Sequence, residues 1–363
     1  MLRHMQCLDE LSIEDCPEIK SLSIHHPPEH VEESGRLASS SDCQAVAQTW
    51  LTQDELLLHI PLNVLSTLKK LRMQSCPGVE LCGNKEGFGG FTSLTELEIS
   101  DCPMLLPSAN ERFSLPPSIP LLVIGHAPKK LQPYFPDNQT SLKKLLVWRS
   151  PNLKSLHLHS CTALEELEIR GHGQLAVLEG LQHLSSFRGL WITMNSDMCA
   201  AWVRKCLERE SGSGLNHVLP PSLEKLVIRD LREEVVPYLL VQLPSLSKLK
   251  IRDSPKLTSL QLGFLGNLTE LAVCNCLTLV DLPDVLHNLH SLKKIVLQNN
   301  PCLSRLPEKG LPPSLKELII DDSCSLELKE QCRLLETGTL RVTFEQLSVA
   351  GQSVGSIPSL PSC

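Results

Sequence analysis

The stretch that decides the fold reads PSLEKLVIRD (221–230), PSLSKLKIRDSPKL (244–257), GNLTELAVCNCLTL (266–279) and HSLKKIVLQNNPCL (290–303). Each segment contains the pattern L-x-x-L-x-[L/I/V], whose first leucine falls at Leu223, Leu246, Leu268 and Leu292. The steps between these leucines are 23, 22 and 24 residues. Such regular spacing predicts a repeated unit that stacks on its neighbours, because one short unit has nothing against which to bury its own leucines.

The same pattern occurs twelve times along the chain. Its first positions are Leu8, Leu68, Leu94, Ile119, Leu142, Leu164, Phe187, Leu223, Leu246, Leu268, Leu292 and Leu315. The period matches that of leucine-rich repeats. We therefore predict an α/β leucine-rich-repeat solenoid shaped as a curved horseshoe. Its concave face carries a parallel β-sheet with one strand per repeat, and its convex side is mostly extended or 3₁₀, with few helices, because little chain remains for it.

The eighth residue after each of these first positions should point inward where the chain leaves the strand. Small polar side chains there can bond backbone groups of the turn that would otherwise be buried unpaired. The structural residues predicted for this turn ladder are Cys16, Cys76, Cys102, Asn195, Ser254, Cys276 and Asn300. Ala127 and Leu231 occupy the same position without a polar group, which predicts two irregular turns.

Interruptions of the period set the expected domain boundaries. We expect a first visible repeat over 1–24, an insertion or degenerate repeat with a mobile loop over 25–67, and the solenoid over 68–326. A helical insertion near 196–222 would be capped by Ser196. A C-terminal cap over 327–350 and a disordered tail over 351–363 would follow. Since a full repeat begins at Leu8 without a cap, we expect a fragment of a longer protein or a truncated gene product.

Composition excludes several classes of function. The net charge of −7 argues against nucleic-acid binding, which needs a basic surface. No apolar run is long enough to predict a membrane span, and the N-terminus shows no secretory signal. The 15 cysteines are odd in number and lack paired spacing, which favours reduced thiols. We therefore expect a cytoplasmic protein, with entry into the nucleus left open.

Catalytic and ligand motifs are missing from the sequence. No phosphate-binding loop, H-E-x-x-H, C-x-x-C or G-x-S-x-G occurs. The pairs His157-x-His159 and Cys274-x-Cys276 lack the further ligands that zinc needs, and Cys274 is expected to project outward. We therefore expect no enzyme activity, no cofactor and no metal.

The remaining chemistry lies on the concave face, where the x positions of each strand point. A charged face that only keeps the solenoid in solution is one interpretation. Exposed tryptophans among arginines instead have the composition of a protein-binding hot spot, and packing of each tryptophan on a neighbouring strand or loop is the competing interpretation. The candidate binding residues are Arg72, Trp148, Arg149, Arg170, Arg188, Trp191, Arg229, Lys250 and Arg252.

A family resemblance rests on the Cys-Pro turns and on the L-P-P-S entries at 115–118, 219–222 and 311–314. Segments such as SLTELEISDCPML (93–105) resemble the C-terminal leucine-rich region of plant coiled-coil/NB-ARC disease-resistance proteins, which are intracellular immune receptors. The resemblance covers 8–24 and most of 68–326. It implies binding of a pathogen effector or a guarded host protein, and restraint of an NB-ARC domain in cis or in trans. The nucleotide-binding and coiled-coil domains are missing from this chain.

Three alternatives come from other classes. An extracellular receptor would carry L-x-G-x-I-P in most repeats, whereas one copy of G-x-I-P occurs, at 355–358. An F-box-type substrate adaptor of a ubiquitin ligase would show an F-box and a helical outer side, and neither is visible. A stand-alone protein-binding scaffold remains open.

Overall fold

A computed structural model describes residues 8–24, 57–60, 62–82, 88–105, 115–116, 118–127, 140–207, 218–240, 243–263, 265–335 and 340–345. The segments expected to form the mobile loop (25–50) and the disordered tail (351–363) lie outside the described residues. The structural statements below concern the described residues.

Strands account for most of the regular structure. They are β1 (Glu10–Glu14), β2 (Ser21–Ile24), β3 (Leu57–Ile60), β4 (Lys70–Gln74), β5 (Glu80–Cys82), β6 (Glu96–Ser100), β7 (Leu121–Gly125), β8 (Lys144–Trp148), β9 (Ser155–His157), β10 (Glu166–Arg170), β11 (Val177–Glu179), β12 (Gly189–Thr193), β13 (Lys225–Arg229), β14 (Lys248–Arg252), β15 (Glu270–Cys274), β16 (Lys294–Gln298), β17 (Glu317–Asp321) and β18 (Arg341–Glu345). Thirteen of them form one parallel sheet in the order β1-β4-β6-β7-β8-β10-β12-β13-β14-β15-β16-β17-β18.

The register of this sheet follows the period of the sequence. Leu97 pairs with Leu71 and Leu122, Leu226 pairs with Leu190 and Leu249, and the same alignment continues through the stack to Leu318. These leucines are all at most 1% exposed. Because side chains alternate along a strand, residues two positions apart share this buried layer, as Leu97 and Ile99 do. The predicted leucine-rich-repeat solenoid with few helices is confirmed.

The other side of each repeat is short and mostly extended, as predicted. Two small parallel sheets lie there, one with β11 beside β9 and one in the order β3-β2-β5. The α-helices are α1 (Leu62–Leu65), α2 (Ser196–Leu207), α3 (Val236–Leu239) and α4 (Leu326–Arg333). The 3₁₀ helices span Leu181–His183, Glu233–Val235 and Asp284–Asn288.

The turn after each strand of the large sheet repeats one backbone conformation. The residue before the ladder position has a positive φ in repeat after repeat, including Asp101 (55°), Asp253 (48°) and Asn275 (58°). Asp and Asn tolerate this left-handed region better than other non-glycine residues. His126 (54°) and Asp230 (52°) share the conformation, so the expectation of irregular turns at Ala127 and Leu231 is wrong.

Hydrogen bonds between neighbouring repeats explain why those two turns are regular. The Ser150 hydroxyl donates to the Trp148 carbonyl (2.8 Å) and accepts from the Ala127 N–H (2.8 Å). Ser254 likewise accepts from the Leu231 N–H at 3.0 Å. A polar group on the next repeat therefore replaces the one that Ala127 and Leu231 lack.

The other ladder residues also bond backbone groups. Cys16, Cys76 and Cys102 each donate a thiol hydrogen bond to the carbonyl two residues earlier, at 3.2 Å in all three cases. The neighbouring thiols of Cys76 and Cys102 shift each other in opposite directions, lowering the pKa of Cys76 and raising that of Cys102. Asn300 donates to the Val273 carbonyl (2.9 Å) and accepts from the Cys276 N–H (3.0 Å).

Asn195 combines the ladder role with helix capping. Its side-chain nitrogen donates to the Leu175 carbonyl (2.8 Å), and its oxygen accepts from the Met198 N–H (2.8 Å) at the start of α2. The sequence assigned the cap to Ser196, which is instead the first helical residue. Asn195 takes the capping position because its amide reaches both groups at once.

The two ends of the stack differ in what covers them. At the C-terminal end, α4 buries Leu328 and Cys332, and β18 (Arg341–Glu345) pairs with β17 as the thirteenth strand of the large sheet. At the N-terminal end, β3 pairs with the side of β2 that faces away from the next repeat. The described part of the 25–67 insertion therefore extends the outer side beyond the first repeat.

Candidate functional site on the open face of the sheet

The face of the large sheet opposite the leucine layer is called the open face below. Three side chains of each strand point to it, because every second residue does. From β8 to β14 these residues are, strand by strand, Lys144, Leu146 and Trp148; Glu166, Glu168 and Arg170; Gly189, Trp191 and Thr193; Lys225, Val227 and Arg229; and Lys248, Lys250 and Arg252.

Ion pairs between successive strands occupy much of the row where the strands begin. Lysine faces glutamate on the neighbouring strand in four places: Lys70–Glu96 (3.5 Å), Lys144–Glu166 (2.9 Å), Lys248–Glu270 (3.4 Å) and Lys294–Glu317 (2.9 Å). Glu96 is nearly buried, but the other three pairs are at least partly exposed on both sides, and such pairs contribute little stability each, about 0–1 kcal/mol. This row fits the interpretation of a charged face that keeps the solenoid in solution.

Arg72 is separated from the other candidate residues. It lies on β4, where its guanidinium pairs with Glu96 (3.1 Å) and Glu98 (3.2 Å), both nearly buried. Partial burial opposes its charged form, but these two carboxylates raise the pKa of Arg72 overall. Arg72 therefore compensates two buried acids, which is a structural role.

Six candidate residues form one continuous patch on β8 to β14. This patch, called the basic aromatic surface below, consists of Trp148, Arg170, Trp191, Arg229, Lys250 and Arg252. Trp148 lies opposite Arg170 on adjacent strands, and Arg229 lies opposite Arg252. Strands are spaced by about 4.8 Å, so the four steps from β8 to β14 span roughly 19 Å.

The charges of the basic aromatic surface are only partly balanced. Arg170 pairs with Glu168, and Arg229 pairs with Asp253 at 3.5 Å. The pKa of Arg229 is lowered, mainly by burial, with further lowering from the charges of Arg252 and Arg170. Arg252 and Lys250 have no ion pair among the described residues. Positive charge is therefore concentrated where these arginines meet.

The two tryptophans are half-buried and not fully exposed. The Trp191 ring folds back over Gly189 on its own strand. A Cβ placed at Gly189 would lie only 2.6 Å from that ring, so the absence of a side chain at Gly189 makes room for it. Trp148 is paired with Gly125 and with Arg170 on the two adjacent strands. Its indole nitrogen is buried and has no hydrogen-bond partner in the described part of the chain. Each ring is therefore half-covered by the sheet and half-exposed, and a role of these rings in binding stays a prediction.

Arg149 and Arg188 lie at the margins of this patch. Arg149 is exposed in the turn after β8, with a φ of 45°. Arg188 precedes β12 and pairs with Glu224. Both were expected on the concave face, but they flank the strands that form it.

The sequence analysis missed the apolar centre of the open face. Val123 and Leu146 are 7% and 8% exposed, and Ala272 and Ile319 are 3% and 7% exposed. Cys274 was expected to project outward, but it is 2% exposed, and its thiol lies 3.5 Å from the Gln298 amide oxygen. The sequence did show apolar residues at x positions of the pattern. It did not show that neighbours on the next strand bury those residues.

The described residues contain no group of three or more His, Cys, Asp or Glu side chains arranged to hold a metal. Within the same residues, the helices are too short or too polar to cross a bilayer.

Comparison with known proteins gives similarity of fold. No protein-family model and no curated protein matches the sequence. Among solved structures, a leucine-rich-repeat protein of Leptospira interrogans is 20% identical, covering 79% of this chain and 83% of its own, with a TM-score of 0.35. The leucine-rich-repeat domain of the type III effector XopL is 18% identical, covering 74% and 72%, with a TM-score of 0.33. TLR13, solved in complex with ssRNA13, is 16% identical, covering 76% and 50%, with a TM-score of 0.32. The assignment of the fold rests on the strand register described above.

Proposed function

We propose that this chain is the leucine-rich-repeat region of a plant coiled-coil/NB-ARC disease-resistance protein and that it acts by binding proteins. Its partners are a pathogen effector or a guarded host protein, and an NB-ARC domain that it restrains in cis or in trans. The Cys-Pro turns and Pro-Pro-Ser entries support the family, and the stacked repeats support a binding role. The proposed location is the cytoplasm. No catalytic step is proposed.

The observation that carries the binding role is the continuity of the basic aromatic surface. Trp148 and Arg252 are far apart in sequence, yet the register brings them onto one face within roughly 19 Å. Tryptophan and arginine are the residue types most enriched at the energetic centres of protein interfaces. A face that served solubility alone would have no need for two half-buried indoles beside four cations.

The test is capture of separately expressed NB-ARC domains of related receptors by the purified, tagged chain. We expect Trp148→Ala and Trp191→Ala each to reduce capture about tenfold, because loss of a central aromatic residue typically costs more than 1 kcal/mol of binding. The thermal midpoint should change little, since both rings are only half-buried.

Leu286→Ala provides the matched contrast, because this side chain is fully buried on the outer side of the stack. It should lower the thermal midpoint without changing capture by the molecules that remain folded. Large losses of thermal midpoint in both tryptophan variants would show that the rings are structural. Recovery of a ubiquitin-ligase adaptor in place of an NB-ARC domain would favour the F-box-type alternative.

A further inference from the structure

The basic aromatic surface has a sign of charge opposite to that of the whole chain. The chain has 41 acidic and 34 basic residues and a net charge of −7. On this surface, however, Lys250 and Arg252 point to the open face without an ion pair among the described residues, and Lys225 beside them has none either. A local excess of positive charge on an acidic protein attracts negative groups selectively to that place.

Two polar atoms of this surface are desolvated and unsatisfied. The Trp148 indole nitrogen and the Arg252 Nε are buried without a hydrogen-bond partner in the described residues. A buried donor without a partner typically costs about 1–3 kcal/mol. Both atoms have essentially no accessible surface, so a bound acceptor reaches them only where the side chains that cover them move.

Apolar side chains lie in the row next to these donors. Leu146 and Val227 share their strands with Trp148 and Arg229, and Trp191 lies in the same row between them. Glu168 and Lys250 complete that row, so the surface offers the row of Arg170, Arg229 and Arg252 beside a mixed row centred on Trp191 and Val227. A ligand that fits it carries negative groups along one edge and apolar groups along the other.

We infer that the basic aromatic surface binds an extended acidic segment of a partner protein, in which carboxylates alternate with apolar side chains. The inference deepens the proposed function and rests on it. An extended chain rises about 3.3 Å per residue, so roughly six residues cover the 19 Å of the surface. The carboxylates pair with Arg252, Lys250 and Arg229, and the apolar side chains contact the two indoles.

The distribution of acids disfavours a nucleic acid as the occupant. Glu168, Asp230 and Asp253 lie among or beside the cations of the surface. Glu96 and Glu98 lie on the open face of β6, towards one end of the sheet, and Glu317 and Asp321 lie on β17, towards the other. A polyanion needs a continuous basic track for its phosphates. A short acidic peptide needs only the few cations present here.

The experiment measures fluorescence anisotropy of a labelled peptide of about eight alternating Glu and Leu residues, slightly longer than the surface. A peptide with Gln in place of Glu and a labelled single-stranded oligonucleotide are measured in parallel. We expect the Glu peptide to bind more tightly than either. We also expect Arg252→Gln and Lys250→Gln each to weaken binding of the Glu peptide about fivefold.

Arg305→Gln is the matched control. It removes one positive charge from an exposed side chain on the outer side, where Arg305 pairs with Asp281. Binding should change less than about 1.5-fold, and thermal midpoints establish that all three variants are folded. Equal binding of the Gln peptide, tighter binding of the oligonucleotide, or no binding of the Glu peptide would each overturn the inference.

The inference and the proposed function fail in different ways. If Arg252→Gln and Lys250→Gln keep full capture of the NB-ARC domain while the tryptophan variants lose it, the proposed function stands and the acidic segment is wrong. If the wild-type chain captures no NB-ARC domain but binds the Glu peptide, the acidic segment stands and the NB-ARC partner is wrong.

Discussion

At the scale of the residue, the ladder position shows how little side chain a stacked turn requires. Cysteine, serine and asparagine all occupy it, and each bonds a backbone group of its own turn or of a neighbouring one. What they share is a short polar group that replaces water for a buried N–H or carbonyl. His172 occupies the same position and is 6% exposed. Its side chain is an imidazole, whose ordinary pKa is 6.5.

Burial lowers the pKa of His172, and the nearby Thr193 backbone opposes that shift only in part. Below its ordinary pKa of 6.5, the unfolded chain therefore binds a proton that the folded chain resists. This contribution to stability is present above pH 6.5 and is lost as the pH falls towards the lowered pKa of the folded state. Asparagine fills the same position at Asn195 and Asn300 and does not titrate.

We predict that His172→Asn makes the thermal midpoint less sensitive to acid. Between about pH 7.5 and about pH 5, the midpoint of the wild type should fall roughly 2 °C further than that of the variant. His290→Asn, at an exposed position, controls for the substitution itself. An equal fall in the wild type and in His172→Asn would show that this histidine does not set the acid sensitivity.

At the scale of the element, the outer side of the solenoid tolerates fewer substitutions than its irregular sequence implies. Gly180 connects β11 to the 3₁₀ helix over Leu181–His183 with a φ of +93°. A Cβ at this position would lie 2.7 Å from the His159 backbone nitrogen and 2.9 Å from the Leu158 carbonyl carbon. Backbone atoms of the neighbouring repeat cannot move aside as a flexible side chain can. Gly310 has a similar φ of +81°, but no atom lies within 4 Å of a Cβ built there.

We predict that Gly180→Ala lowers the free energy of unfolding by about 3 kcal/mol or more, because left-handed strain and a backbone clash add together. Gly310→Ala is the matched control and should cost roughly 1 kcal/mol, since strain alone acts there. Urea denaturation of both variants measures the difference. Similar losses in the two would mean that backbone conformation, and not the close approach of repeats, limits the outer side.

At the scale of the whole molecule, each repeat contacts its neighbours and little else. Leu190 of β12 lies between Leu167 of β10 and Leu226 of β13 in the buried layer. In such a stack, stability is approximately a sum of repeat and nearest-neighbour terms. A destabilising substitution in a central repeat should therefore affect that repeat and its immediate neighbours.

We predict that Leu190→Ala costs about 3 kcal/mol through the cavity it leaves. Amide hydrogen exchange should accelerate in β10, β12 and β13 and remain unchanged in β1 and β17. Val342→Ala, at a half-buried position of the last described strand, should affect β17 and β18 alone. Uniform acceleration along the sheet would contradict the nearest-neighbour picture and indicate one cooperative unit.

The sequence by itself determined the period, the phase of twelve strands of the large sheet and the short outer side. These features depend on backbone geometry and on the alternation of apolar residues. Both are local, so they can be predicted from the sequence of a single repeat. It also placed Trp148, Trp191 and the arginines of β10 to β14 on one face. With a fixed period, equivalent positions of successive repeats lie on the same face of the sheet.

The tertiary structure alone decided which of those side chains are available. Arg72 is paired with Glu96 and Glu98, whereas Arg252 and Lys250 have no ion pair among the described residues. Cys274 is covered, and Trp191 lies over a glycine of its own strand. Each of these outcomes depends on side-chain contacts within and between strands. The repeat pattern does not specify those contacts, because it fixes only the positions of the strands and not the side chains that surround each residue.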